Sequence, residues 1–141
     1  MTVNQISVFI ENKYGKLCEI LTFLASEQIR IIAATVADTS EYGILRLIVS
    51  DPQRAFLLLK ENGVSANLTE VLAIVSQSSA EGFARTLCCF TRSGLSIEYM
   101  YGFSLNGKSI LILRTSDREA AHEVIRRQQL EYLTENDLMN F

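Results

Sequence analysis

The chain has 141 residues, 48% of them hydrophobic, with a formal net charge of −3 and a mean hydropathy of +0.18, ample for one packed domain or two small cooperating ones. No Lys/Arg cluster stands out, which argues against a nucleic-acid partner, since such proteins present a basic stripe. No apolar run approaches about 18 residues and Met1-Thr2-Val3-Asn4 opens no basic, then apolar, leader, so neither a membrane span nor an export signal is expected.

Residues Gln5 to Ile10 place Ile6, Val8 and Ile10 on one parity, a strand pattern. Asn12-Lys13-Tyr14-Gly15 reads as a turn into a helix, and Leu17, Ile20, Leu21 and Leu24 give that helix one apolar face, fading by Gln28. Ile29 to Val36 is a second strand rich in β-branched residues. Asp38 to Gly43 forms a hairpin loop and Ile44 to Val49 the third strand. Ser50-Asp51-Pro52 starts a helix, with Asp as cap and Pro in the first helical position. That helix stops at Gly63, just past its end. Asn67 to Ser76 is a long extended run.

The turn Gln77-Ser78-Ser79-Ala80 leads into a helix from about Glu81 to Ser93, where Ser78-x-x-Glu81 matches a capping box. Strands follow at Leu95 to Phe103 and Ser109 to Thr115, around the turn Asn106-Gly107. Asp117 caps a helix that ends near Gln128, and Leu130 to Leu133 is the last strand. His122 lies on that helix among Glu119, Glu123 and Arg126 and is expected in solvent. Cys18, Cys88 and Cys89 are odd in number and fall in helical apolar patterns. They point to reduced, buried thiols and a cytoplasmic protein.

The second half repeats the first. A shift of 66 positions carries Leu21 onto Leu87, Ile31 onto Ile97, Leu45 onto Leu111, Asp51 onto Asp117 and Ala55 onto Ala121, without a gap. The expected fold is α+β: two tandem ferredoxin-like βαββαβ units with antiparallel sheets, residues 1–70 and 71–141, joined through one continuous strand. Strands two and three of the first unit are apolar on both parities. Their helix-free face is therefore expected to pack against the sister unit or a second copy.

Glu98-Tyr99-Met100-Tyr101, following Ser93-Gly94-Leu95-Ser96-Ile97, is similar to the strand of stand-alone tandem ACT proteins, as are Gly43 to Val49 and Thr69 to Ala73. Through these stretches the chain resembles the ACT-domain family, small ferredoxin-like modules that bind amino acids. The resemblance covers both units. It implies a non-enzymatic regulatory protein without a cofactor, assembled as a homo-oligomer (a dimer), with an amino acid as ligand and a regulated enzyme as partner. Ligand would bind between neighbouring ACT units, near the strand-one/helix-one turn and strand two. The family turn is typically Asp-x-Pro-Gly. The first unit keeps only the glycine, as Asn12-Lys13-Tyr14-Gly15, and the second has Glu81 in the glycine's place with Gly82 one position later.

An α-amino acid presents one anion and one cation, and a helix N-terminus offers N–H groups and a positive dipole end to the carboxylate. Asn12, Tyr14, Gly15, Lys16 and Leu17 supply that environment in the first unit, with Ile32 on strand two beside them. Asn12 also suits a plain helix cap, and both readings stand. Glu98, Tyr99 and Met100 of a neighbouring unit are candidates to finish the pocket, although strand aromatics more often pack a sheet. In the second unit a capping carboxylate at Glu81 would repel a ligand carboxylate, so capping alone is expected there. No metal-ligand spacing or catalytic set is present. Two further readings, an acylphosphatase-type hydrolase and an RNA-binding sheet, lack the required arginine and the paired aromatics. The alternative to the sensor is a ligand-free ACT scaffold for protein–protein association.

Overall fold

The computed structural model describes residues 2–11, 15–38 and 42–140. Its elements in order are β1 (Val3–Glu11), α1 (Lys16–Ser26), β2 (Ile31–Asp38), β3 (Tyr42–Val49), α2 (Pro52–Glu61), β4 (Ala66–Ser76), α3 (Ala80–Thr91), β5 (Ile97–Leu105), β6 (Lys108–Thr115), α4 (Arg118–Arg127) and α5 (Glu135–Met139). The chain divides into two compact units. One is Asn4–Thr69 with the residues from Asn136 onward; the other is Glu70–Glu135 with the residues up to Val3. Each is a ferredoxin-like βαββαβ unit.

In the first unit the strands run in the order β2-β3-β1-β4, with β3 antiparallel to both β1 and β2. The alternation read in β1 and β3 places Ile6, Val8, Leu45, Leu47 and Val49 on one face. They close a core with Ile20 and Leu24 of α1 and Ala55 and Leu59 of α2. Burial of such side chains contributes roughly 1.5–3 kcal/mol each. Asp51 caps α2 by accepting from the Arg54 N–H at 3.2 Å, and Gly63 follows the helix in the left-handed region, φ 74, as expected.

The second unit uses the same plan. The strands β4, β6 and β5 are neighbours in that order, antiparallel throughout, and Leu72, Ile74 and Leu113 pack on Phe90 of α3 and on Ala121, Val124 and Ile125 of α4. Asn106 and Gly107, at φ 49 and 77, form the two-residue turn that matches the strand twist. The expected last strand is reduced to one antiparallel bridge, Ile74 to Tyr132. Only residues 129–134 separate the α4 cap at Gln128 from α5, so there is no room for a longer ladder. The short α5, with Leu138 buried, has no counterpart in the sequence pattern.

Strand two, apolar on both parities, does not keep one parity on one face. A bulge between Ile31 and Ala33 puts Ile31, Ala34 and Val36 opposite Val49, Leu47 and Leu45, on the helix side of the sheet. A bulge adds one residue and so reverses the facing of everything after it. The second unit has its bulge at the repeat position, between Ile97 and Tyr99.

Two further expectations are corrected. The N-cap of α3 is Ser79, whose hydroxyl accepts from the Gly82 N–H at 2.9 Å, not Ser78. Position 82 itself calls for glycine, because a Cβ there would sit 2.6 Å from the Gln77 carbonyl oxygen. The three thiols are free as expected, but Cys18 is exposed and Cys88 and Cys89 are half-buried rather than buried. Cys18 lies on the outer side of α1, within 3.9 Å of the Thr22 hydroxyl.

Candidate functional site

The C-terminal end of β1 meets the start of α1 beside the loop that leads from α2 into β4. The Phe9 N–H donates to the Ser65 carbonyl at 3.0 Å, drawing residues far apart in sequence to one place. A cavity of about 460 Å³ opens there, lined by Phe9, Ile10, Glu11, Lys16, Tyr42, Gly63, Val64 and Ser65. It combines an apolar wall, one ammonium and one carboxylate. Phe9 and Tyr42 are 42% and 46% exposed, large apolar surface left open at the cavity.

Of the residues expected at the site, Gly15 is the N-cap of α1, left-handed at φ 83, with no side-chain cap bond. Among the described residues, its chain neighbours aside, no heavy atom lies within 4 Å of where a Cβ would stand; the left-handed φ is what calls for glycine. Lys16 opens the helix and lines the cavity. Its ammonium lies 3.8 Å from the Glu19 carboxylate, a partly solvated pair of the kind that contributes about 0–1 kcal/mol. Leu17 packs against the first core. Asn12 and Tyr14 lie outside the described residues, as do residues 39–41 of the expected hairpin loop.

Ile32 falls at the bulge of β2 and Glu98 at the matching bulge of β5. Neither lines this cavity. Glu98 accepts from the Arg114 guanidinium at 3.2 Å, Tyr99 lies opposite Arg114, and Met100 lies opposite Leu113 and is 38% exposed. Sequence reasoning missed Phe9, Glu11, Tyr42 and the stretch from Gly63 to Ser65. Their signal is topological: a βαββαβ order sets the start of its last strand beside the end of its first.

A second cavity of about 280 Å³ lies within the other unit. It occupies the repeat position: Ile10, Glu11, Lys16, Gly63 and Ser65 in the first lining correspond, 66 residues on, to Ser76, Gln77, Gly82, Gln129 and Glu131 in the second. Duplication has copied the hollow and changed its chemistry.

His122 does not stand in open solvent. Its Nε2 is buried without a hydrogen-bond partner among the described residues. It comes three residues before Ile125, which is 2% exposed, and so leans toward the core. Burial, ahead of the nearby Arg118 and Arg126 charges, pushes the imidazole below its ordinary 6.5, while Glu119 pulls the other way. No helix among the described residues is long and apolar enough to cross a membrane.

The fold is a tandem pair of ferredoxin-like βαββαβ modules with cavities at matching repeat positions. The family model "ACT domain pair" matches residues 1–141, so the chain belongs to the ACT-domain pair family. Protein BT0572 from Bacteroides thetaiotaomicron is 35% identical over 100% of this chain and 98% of its own, with a TM-score of 0.93. The ligand-free regulatory subunit of aspartate kinase from Thermus thermophilus superposes with a TM-score of 0.61 at 20% identity, covering 88% of this chain and 91% of that one. The corresponding subunit from Thermus flavus gives 0.58 at 20% identity, over 88% and 90%. No curated protein matches.

Proposed function

We infer that the protein is a non-enzymatic regulatory sensor whose first unit binds a free α-amino acid. The observation that carries this reading is the pairing of Lys16 and Glu11 on one cavity that also has an apolar wall at Phe9, Tyr42 and Val64. The ammonium meets the ligand carboxylate beside the N-terminus of α1, where the helix dipole adds to it. The carboxylate of Glu11 meets the ligand ammonium, and the wall receives the side chain. Gly15 has no side-chain acceptor to offer the first turn of α1, unlike Ser79 in α3, which leaves that end better suited to an anion.

Likeness in fold to regulatory subunits of aspartate kinase supports a regulatory role exerted on an enzyme. The protein would act as a cytoplasmic homodimer. Ile31 and Val36 of β2 are 36% and 49% exposed, apolar surface that a second copy would cover. Completion of the site by Ile32 and by Glu98, Tyr99 and Met100 of a neighbouring unit belongs to the same proposal. Ligand then favours the arrangement whose interface it completes.

Isothermal titration tests the site. Charged-group hydrogen bonds contribute roughly 1.5–3 kcal/mol each, so Lys16→Ala should weaken amino-acid binding by about tenfold or more. Unchanged affinity in both Lys16→Ala and Glu11→Gln would remove this cavity from the function.

A further inference from the structure

The second unit is expected from its sequence to refuse a ligand because Glu81 would hold the helix end. The structure removes that reason. Ser79 makes the cap, and Glu81 pairs with Arg85 at 3.4 Å, its side chain 86% exposed. We propose that the second unit's cavity is a binding site of its own, for a small uncharged ligand carrying a primary carboxamide. The proposal stands apart from the amino-acid reading of the first unit.

Charge is the first observation. Where the first cavity has Glu11 and Lys16, the second has Gln77 and Gly82, so the opposite charges those two positions would offer a zwitterion are gone. The charged residues that do line it are engaged: Arg85 with Glu81, and Glu131 with Lys108 at 3.0 Å. A charged ligand would have to displace one of these pairs.

The hydroxyl chain is the second. Thr86, 7% exposed, donates to the Gly82 carbonyl at 3.1 Å and lies 3.3 Å from the Ser76 hydroxyl. A hydroxyl has one hydrogen and two acceptor lone pairs. The Thr86 hydrogen is committed to Gly82 and the Ser76 hydroxyl donates to the Gln77 carbonyl at 3.4 Å, so what Ser76 has left for a ligand N–H is acceptor capacity. The amides are the third. Gln77, Gln128 and Gln129 all line the cavity, and a carboxamide pairs with another carboxamide by giving one N–H and accepting one. Gln129 is held left-handed, φ 53, where the repeat position is Gly63, which keeps an amide at the rim that glycine would not supply.

The test is a residue-resolved NMR titration of the full chain with acetamide, with glycine as the zwitterionic control, to about 100 mM, the range of a weak minimal ligand. Acetamide should shift the amide signals of Gln77, Thr86 and Gln129 saturably and leave that of Lys16 in place, while glycine should not move the first three. Loss of one hydrogen bond changes affinity by about fivefold, the weakening expected in Ser76→Ala and in Gln129→Gly. Gln129→Gly relieves backbone strain, so its loss of binding cannot be put down to unfolding. Absence of any saturable shift with acetamide, equal response to glycine, or unchanged affinity in both variants would overturn the proposal.

Discussion

Gln129 and Gln28 hold left-handed backbones, φ 53 and 60, while their repeat partners are glycines, Gly63 at φ 74 and Gly94 at φ 81. A left-handed conformation costs a non-glycine residue about 1–2 kcal/mol, part of which glycine's looser unfolded chain takes back. Gln28→Gly should therefore raise stability by about 0.5 kcal/mol, read as a higher urea midpoint at unchanged slope. Gly82→Ala should do the reverse. The new Cβ would stand 2.6 Å from the Gln77 carbonyl, and such crowding costs about 1–3 kcal/mol. His122 gives a pH dependence. Its folded pKa lies below 6.5, so as pH falls below 6.5 the unfolded chain gains a proton that the folded protein resists, and stability drops through the lowered folded value. His122→Gln should lessen the loss of unfolding free energy between about pH 7.5 and 5.5; an identical loss in wild type and variant would refute the burial argument. None of this is legible from sequence. Ser78 and Ser79 both suit a cap, and it is Ser79 that accepts from the Gly82 N–H.

At the scale of elements, periodicity and caps are readable wherever local chemistry decides. Asp51 and Asp117 read as caps, and both accept the expected N–H, from Arg54 and from Ala120. Replacing Asp117 by Ala should cost about 1 kcal/mol in chemical unfolding, with no effect on a ligand bound at Lys16. The bulges are not readable, because β2 is apolar on both parities and either facing satisfies the pattern. They decide which side chains share the helix side: Val36 lies there opposite the fully buried Leu45, yet on the outer strand of the first unit it stays 49% exposed. The last strand shrinks to one bridge for a reason of length, since the short stretch between two helices cannot make a ladder as well as a turn.

For the molecule as a whole, the 66-residue shift makes the duplication visible from the order of amino acids alone, and two βαββαβ units follow from it. The cavities stay hidden at that level because each is assembled from separate segments: both from a strand end, a helix and a stretch far downstream, and the first also from Tyr42 at the start of β3. The repeat built both hollows, and divergence at Glu11/Gln77 and Lys16/Gly82 gave them different chemistry. The central claim is that the first unit takes an α-amino acid, and a thermal-melt screen of the purified chain against the amino acids at millimolar concentration tests it most directly. A ligand at about 100 times its dissociation constant should stabilise by roughly 2.7 kcal/mol, a shift confined to one side-chain class and lost in Gly15→Glu. No shift with any amino acid, or an equal shift in Gly15→Glu, would contradict the claim; in the first case the ligand-free scaffold becomes the better account.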